Sequence, residues 1–140
     1  MINLQADMPK LQYDNIDFLA DKAKNNSGLS TLYYDLQSSE LKKDTNTVKI
    51  CINNNHISFC RVVGSAVKGD IFKHIGIYAF RKNILNEICK LKPSKNEQEK
   101  SLEQLRWLDN MFDIKVGITS YDSISVDTSD DIKKITAYFG

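Results

Sequence analysis

The stretch HIGIYAF, residues 74 to 80, has side chains that could bind a polar ligand. Its alternation of apolar and other residues is typical of a short buried strand, with His74, Gly76 and Tyr78 on one face. Glycine lets another group approach the backbone closely, and imidazole and phenol groups form hydrogen bonds. The combination favours a ligand-binding face. The alternative is a set of polar side chains that are satisfied beside the core.

Two carboxylates stand at the ends of apolar segments. Asp7 follows the strand predicted for residues 2–5, and ligands of open α/β sheets gather beyond the carboxyl ends of strands. Asp7 is therefore well placed to bind a hard cation, unless it is only a capping or turn residue. Asp127 precedes the helix predicted for residues 130–138, where it can equally be an acid stabilised by the helix dipole.

Polar residues at two further places could contact a substrate. Arg61 follows the strand predicted for residues 57–60, and its planar guanidinium suits a carboxylate. A lone arginine after a strand is more often a solvated surface residue. Glu103 and Gln104 accompany Arg106 on a helix that is otherwise apolar.

The elements that must position these residues alternate along the chain. We predict strands over residues 2–5, 29–35, 48–52, 57–60, 74–80 and 114–118, and helices over 14–24, 82–90, 94–110 and 130–138. Asp14 is the predicted cap of the first helix, Ser94 and Glu97 form a capping box, and His56 is a turn residue. This alternation predicts an α/β sheet with helices on its faces.

The composition narrows the class of protein. The chain has 140 residues, which suggests one domain, and 19 basic against 18 acidic residues leave no basic field for nucleic acid. No apolar run approaches the roughly 20 residues that span a bilayer, so we expect no membrane partner. The three cysteines have no metal-type spacing and favour reduced, buried thiols in a cytoplasmic protein.

Several of these motifs occur together in one known family. HIGIYAFR, then Pro93-Ser94, LEQLR at 102–106, and VDT at 126–128 near acidic residues resemble the C-terminal half of the 3-deoxy-manno-octulosonate (Kdo) cytidylyltransferases. The resemblance runs over nearly all of residues 1–140 and covers about half of the family's single domain. It implies a Rossmann-like nucleotidyltransferase fold, similar to glycosyltransferase A, with three layers and truncated at the N-terminus.

The resemblance also implies roles for individual residues. Asp7 and Asp127 match the two carboxylates that hold Mg²⁺, an ion that takes few protein oxygens and accepts the rest from water and substrate. Ala6 and Met8 depart from the family's Gly and Glu, and the segment 62–73 is shorter than in the family and lacks its proline. The residues that match its sugar-acid pocket are Gln5, Arg61, His74, Tyr78, Glu103 and Gln104.

The activity implied is transfer of CMP from CTP to Kdo, giving CMP-Kdo and pyrophosphate for lipopolysaccharide synthesis. Because the chain contains no glycine-rich phosphate cradle, we expect it not to form this product alone. We expect it to pair with an N-terminal half or to form a homodimer. The alternatives are a non-catalytic relic or interaction protein, and a cytidylyltransferase for a related sugar acid.

Overall fold

The computed structural model describes residues 1–9, 11–25, 28–35, 39, 42–65, 67–126 and 128–139. Strands and helices alternate within these residues, as predicted. The strands are β1 (Ile2–Asn3), β2 (Leu29–Tyr34), β3 (Lys49–Asn53), β4 (His56–Cys60), β5 (Asp70–Phe80) and β6 (Lys115–Thr119). The helices are α1 (Tyr13–Asn25), α2 (Lys82–Ile88), α3 (Lys95–Lys100), α4 (Gln104–Asp109) and α5 (Ser129–Phe139).

The strands form one sheet organised around β5. The order is β4-β3-β5-β2-β6, and β1 also pairs with β5. Only the β2–β6 pair is parallel among the pairings in the described residues. Because β5 has 11 residues, its first half pairs with β3 and its second half pairs with β1, both on the edge away from β2. The long central strand thus joins the N-terminal segment to the β3–β4 hairpin.

A bulge interrupts the pairing of β2 with β5. Thr31 lies opposite Tyr78, whereas the next residue of β2, Leu32, lies opposite Ile75. Gly76 is one of the two extra residues that β5 accommodates at this point. The Thr31 hydroxyl is 2.8 Å from the carbonyl oxygen of residue 77 and 3.2 Å from that of residue 75, so it satisfies backbone groups that the sheet leaves unpaired.

Helices cover both faces of this sheet, which confirms the expected three-layer α/β architecture. On one face, Tyr78 and Phe80 of β5 pack against α2 and the α3–α4 region, where the Trp107 ring of α4 contacts both of them. On the other face, Ile75 and Ile77 pack against Leu19 of α1. No helix among the described residues is long and apolar enough to cross a bilayer.

Some local predictions need correction. The helix predicted for residues 94–110 is two helices, because Ser101 has a left-handed backbone (φ +52°) that ends α3. His56 begins β4 opposite Asn53 instead of forming the turn. Asp14 lies in the first turn of α1 and is not its cap. Cys51 is buried, but Cys89 is exposed, so the thiols are not uniformly buried as predicted.

The α3–α4 turn is held by an ion pair and a capping box. The predicted box is present, with Ser94 accepting from the Glu97 amide and the Glu97 carboxylate accepting from the Ser94 amide. Glu97 also accepts hydrogen bonds from Nε and Nη2 of Arg106, the first at 2.7 Å. These side chains are only 13% and 18% exposed, so their bidentate contact is shielded from water and orients the start of α4.

We predict that Glu97→Gln destabilises the fold by about 1–2 kcal/mol, because glutamine keeps the capping pattern but loses the charge-assisted contact with Arg106. Hydrogen bonding to Arg106 lowers the pKa of Glu97 below its ordinary 4.5. The stabilisation is therefore complete above pH 4.5 and is lost as the pH falls through the lower folded-state value. Urea unfolding at several pH values measures both effects.

The matched control is Glu99→Gln. Glu99 lies on the same helix, with its side chain 57% exposed and 3.7 Å from Lys95, and exposed pairs of this kind contribute less than about 1 kcal/mol. Equal destabilisation by the two substitutions would contradict the assigned importance of the Glu97–Arg106 pair.

Candidate functional site

A pocket of about 280 Å³ lies on the face of β5 that carries His74, Gly76 and Tyr78. The β4 end, the start of α4, and the chain segments around residues 5–8, 46–48 and 123–125 close its other sides. Seven predicted site residues line it, namely Gln5, Asp7, Arg61, His74, Tyr78, Glu103 and Gln104. The eighth, Asp127, lies outside the described residues.

The imidazole of His74 is neutral. Burial lowers its pKa to about 3, because the charged form would lose its hydration. Nε2 lies 2.9 Å from the Thr31 hydroxyl oxygen, and Thr31 has a single proton that it donates to the β5 backbone. The assignment that satisfies both contacts puts the His74 proton on Nε2 and leaves Nδ1 as the acceptor of the ring.

Tyr78 is held rigidly among aromatic side chains. Its ring meets the Trp107 ring edge-on, with centroids 4.9 Å apart, and it also packs against Phe80. Burial, with a smaller contribution from the charge of Glu103, raises the pKa of Tyr78. The phenol is therefore protonated at neutral pH and can donate a hydrogen bond.

Gly76 has a steric reason to lack a side chain. A Cβ at this position would lie 2.7 Å from Oε1 of Gln5, so an alanine would displace the carboxamide. The close approach expected for Gly76 is therefore made by Gln5, itself a predicted site residue. The predictions for Gly76 and for Gln5 therefore describe one structural feature: the chain that follows β1 passes directly over the bulge of β5.

Asp7 carries a buried acceptor with no partner. Among the described residues, none donates a hydrogen bond to its Oδ1 atom, which is buried. The backbone carbonyl of Asp7 accepts from the amide of Val126, at 2.8 Å. Segments more than a hundred residues apart in sequence therefore meet at Asp7. Met8, which the resemblance aligns with a Glu of the family, is buried in the cluster that contains Leu19 and Leu32, and it also lines the pocket.

Lys73 holds the chain segment that leads to Val126 in place. Its Nζ atom lies 2.6 Å from the Asp122 carboxylate and 2.7 Å from the Ser123 carbonyl oxygen, and its side chain is 15% exposed. The Ser123 hydroxyl in turn lies 3.8 Å from the Met8 sulfur. These contacts connect β5 to the chain that precedes position 127 and to the chain around Asp7.

The remaining predicted residues lie at the pocket rim and wall. Arg61 is half-buried, and its Nη1 donates to the Asn46 carbonyl at 2.5 Å. Gln104 is buried, whereas the Glu103 side chain is 62% exposed, with its carboxylate 3.8 Å from Arg106. Arg61 and Glu103 therefore contribute charged groups to the pocket. Gln104 contributes a carboxamide to its buried wall.

Sequence reasoning missed the lysines that support this pocket. Lys73 lines it directly, and Lys49 lies beneath its wall with no exposed surface. A lysine within a strand ordinarily indicates a solvent-facing position, so neither residue type nor spacing predicted burial. The one sequence feature that could have indicated a role in the pocket was the position of Lys73, immediately before the HIGIY motif.

The burial of His74 predicts a specific pH dependence of stability. Since its folded-state pKa of about 3 lies below the ordinary 6.5, only the unfolded chain takes up this proton between those values. The free energy of unfolding should therefore decrease as the pH falls below 6.5. We expect this decrease to be steeper in the native protein than in His74→Gln, by up to about 1.4 kcal/mol per pH unit. Urea unfolding between pH 5 and 8 measures the difference. An imidazole signal of His74 that titrates near pH 6.5, assigned with His56→Gln, would contradict it.

Comparisons with known proteins agree with this geometry. A family model described as cytidylyltransferase matches residues 1–115. The 3-deoxy-manno-octulosonate cytidylyltransferase of Cytophaga hutchinsonii is 36% identical over 97% of this chain and 60% of its own length. The 8-amino-3,8-dideoxy-manno-octulosonate cytidylyltransferase of Shewanella pealeana is 33% identical over 95% of this chain and 58% of its own length.

A solved structure of CMP:2-keto-3-deoxy-manno-octonic acid synthetase complexed with CTP superimposes with a TM-score of 0.83 at 28% identity. That alignment includes 99% of this chain and 60% of the solved chain. The chain thus spans about 60% of the length of the proteins that it matches, corresponding to their C-terminal part. With most of its residues matched by the family model and this fold, the chain belongs to the cytidylyltransferase family.

Proposed function

We propose that this chain is the sugar-acid-binding part of a single cytidylyltransferase domain that transfers CMP from CTP to Kdo. The observation that supports this most is the pocket itself. Seven residues predicted from separate motifs converge on it, although they come from four different stretches of the chain. The names of the relatives support CTP and Kdo as the substrates.

In this proposal Arg61 binds the carboxylate of the sugar acid, because a guanidinium can donate two parallel hydrogen bonds to it. His74 accepts from a sugar hydroxyl through Nδ1, and Tyr78 donates to another oxygen. Gln5, Glu103 and Gln104 bond the remaining hydroxyls. A ligand with one carboxylate and several hydroxyls matches this mixture of a guanidinium with hydrogen-bond acceptors and donors.

Asp7 fits a divalent cation. A buried carboxylate oxygen without a donor is costly unless a ligand neutralises it, and the Oδ1 atom of Asp7 is such an oxygen. Mg²⁺ needs few protein oxygens, because it keeps several waters and accepts oxygens from the substrate. Asp7 and Asp127 would hold it. When bound, Mg²⁺ would neutralise charge on the phosphates of CTP.

In the reaction, the anomeric hydroxyl oxygen of Kdo forms a bond to the α-phosphorus of CTP. The bond from that phosphorus to the pyrophosphate oxygen breaks, and the hydroxyl proton is released. The residues of this chain contribute by orientation: they hold the sugar acid by its carboxylate and hydroxyls so that one oxygen faces the nucleotide. Such positioning accounts for much of the catalysis of phosphoryl and nucleotidyl transfer.

We propose that the cradle for the CTP phosphates is supplied by the rest of the cytidylyltransferase domain, from the same or another polypeptide. β1 pairs with β5 on one edge, and no described strand pairs with its other edge. An unpaired edge of this kind accepts a further strand. We propose this edge as the junction, and a homodimer of the completed domain as the working assembly.

Two other functions have specific support. The relative from Shewanella pealeana is named for an amino sugar acid, so a substituted octulosonate is the second candidate substrate. A non-catalytic sugar-binding role is supported by Met8, which puts an apolar side chain where the family carries a charge. Both alternatives use the same pocket. The first differs from the main proposal in the sugar acid that binds, and the second differs in that no CMP is transferred.

The test is reconstitution of activity. The purified chain is mixed with the separately produced N-terminal part of the Cytophaga hutchinsonii relative, with CTP, Kdo and Mg²⁺, and pyrophosphate and the CMP-sugar are measured. We expect product only when both parts are present. Asp7→Asn and Arg61→Lys should each reduce the rate by about tenfold or more, whereas Asp17→Asn, an exposed substitution on α1, should not change it.

The amino sugar acid is tested in a parallel reaction. If it is turned over faster than Kdo, the amino sugar acid and not Kdo is the preferred substrate. Binding of Kdo to the chain without product in the mixture would indicate the non-catalytic role. Neither binding nor product from a folded sample would contradict the proposal as a whole.

A further inference from the structure

Lys49 is a lysine with no solvent-exposed surface, located on β3 directly beneath the pocket wall. Its Nζ atom donates to the carbonyl oxygen of Arg61 at 2.5 Å and to that of Asp44. One ammonium group therefore joins the end of β4 to the loop before β3. Both partners are backbone atoms, so the contact fixes the path of the chain rather than a second side chain.

A closed ring of hydrogen bonds passes through these groups. The Asp44 carboxylate accepts from the Asn46 amide at 2.8 Å and from the Thr47 hydroxyl at 2.5 Å, which shapes the loop. The carbonyl of Asn46 accepts from the Arg61 guanidinium at 2.5 Å. The backbone of Arg61 returns the ring to Lys49. Arg61 is thus held at its carbonyl and at its guanidinium by the same network.

The ring contains the buried ammonium group of Lys49, at a position where an apolar side chain would cost less free energy to bury. Burial disfavours the ammonium and lowers the pKa of Lys49, whereas the nearby Asp44 carboxylate opposes that shift. Replacing buried ionic groups by apolar ones often leaves stability unchanged or improves it. Asn46, Thr47 and Arg61, which the ring connects, all line the pocket. The arrangement is therefore better explained by the geometry of the pocket than by stability.

We infer that Lys49 is a positioning residue for Arg61, holding the guanidinium so that its remaining N–H groups receive the carboxylate of the sugar acid. This inference rests on the proposed function, in which Arg61 binds that carboxylate. Lys49 acts only through Arg61 and the loop and does not touch the ligand. It follows that Lys49 determines selectivity for the carboxylate and leaves recognition of the sugar hydroxyls unchanged.

The test compares binding of Kdo with binding of its uncharged methyl ester, by calorimetry on the reconstituted protein. We expect Lys49→Met to weaken Kdo binding by about tenfold or more, and methyl ester binding by less than about twofold. Combining it with Arg61→Ala should add nothing to the loss caused by Arg61→Ala alone. The matched control, Lys68→Met at an exposed loop position, should bind both ligands as the native protein does.

A second variant keeps the test valid if Lys49→Met does not fold. Asp44→Ala opens the same ring from its exposed side, and it should produce a smaller loss confined to Kdo. If Arg61→Ala abolishes the preference for Kdo over the ester while the folded Lys49→Met and Asp44→Ala variants retain it, the inference about Lys49 is overturned and the proposed function stands. If the native protein shows no preference for the carboxylate, the proposed function itself is overturned.

Discussion

The pocket depends on one buried hydroxyl, that of Thr31. Its oxygen lies within hydrogen-bond distance of His74 Nε2 and of the carbonyl oxygens of residues 75 and 77, so it fixes the β5 bulge from within. The bulge carries Gly76, the residue that leaves room for Gln5. Because the same strand pairs with β1, β2 and β3, a change at this point would displace β5 relative to all three strands.

Polar side chains position the pocket mainly by binding backbone. Lys73 donates to the Ser123 carbonyl and Lys49 donates to the Arg61 carbonyl. A backbone hydrogen bond from the amide of Val126 to the carbonyl of Asp7 adds to these contacts. A buried carbonyl needs a donor, and an ammonium group can supply more than one hydrogen bond. Segments distant in sequence are therefore locked together without regular secondary structure, which leaves their side chains available to a ligand.

Much of the fold and of the pocket could be read from the sequence because the alternation of side chains along β5 survives its bulge. The bulge inserts two residues, an even number, so His74, Gly76 and Tyr78 still share a face. The break at Ser101 could not be predicted, because a left-handed serine has no sequence signal. The buried Lys49 could not be predicted either, because its carbonyl partners come from separate loops.

The most direct measurement is a titration of the ¹⁵N-labelled chain with Kdo, followed residue by residue by NMR. If the sugar acid binds at β5, the largest shifts will concentrate around the pocket, at Gly76, Tyr78, Gln104 and the side chain of Arg61. Shifts that instead concentrate in the separate groove lined by residues such as Glu87 and Met111, or an absence of shifts at saturating Kdo from a folded sample, would contradict a sugar-acid site at β5.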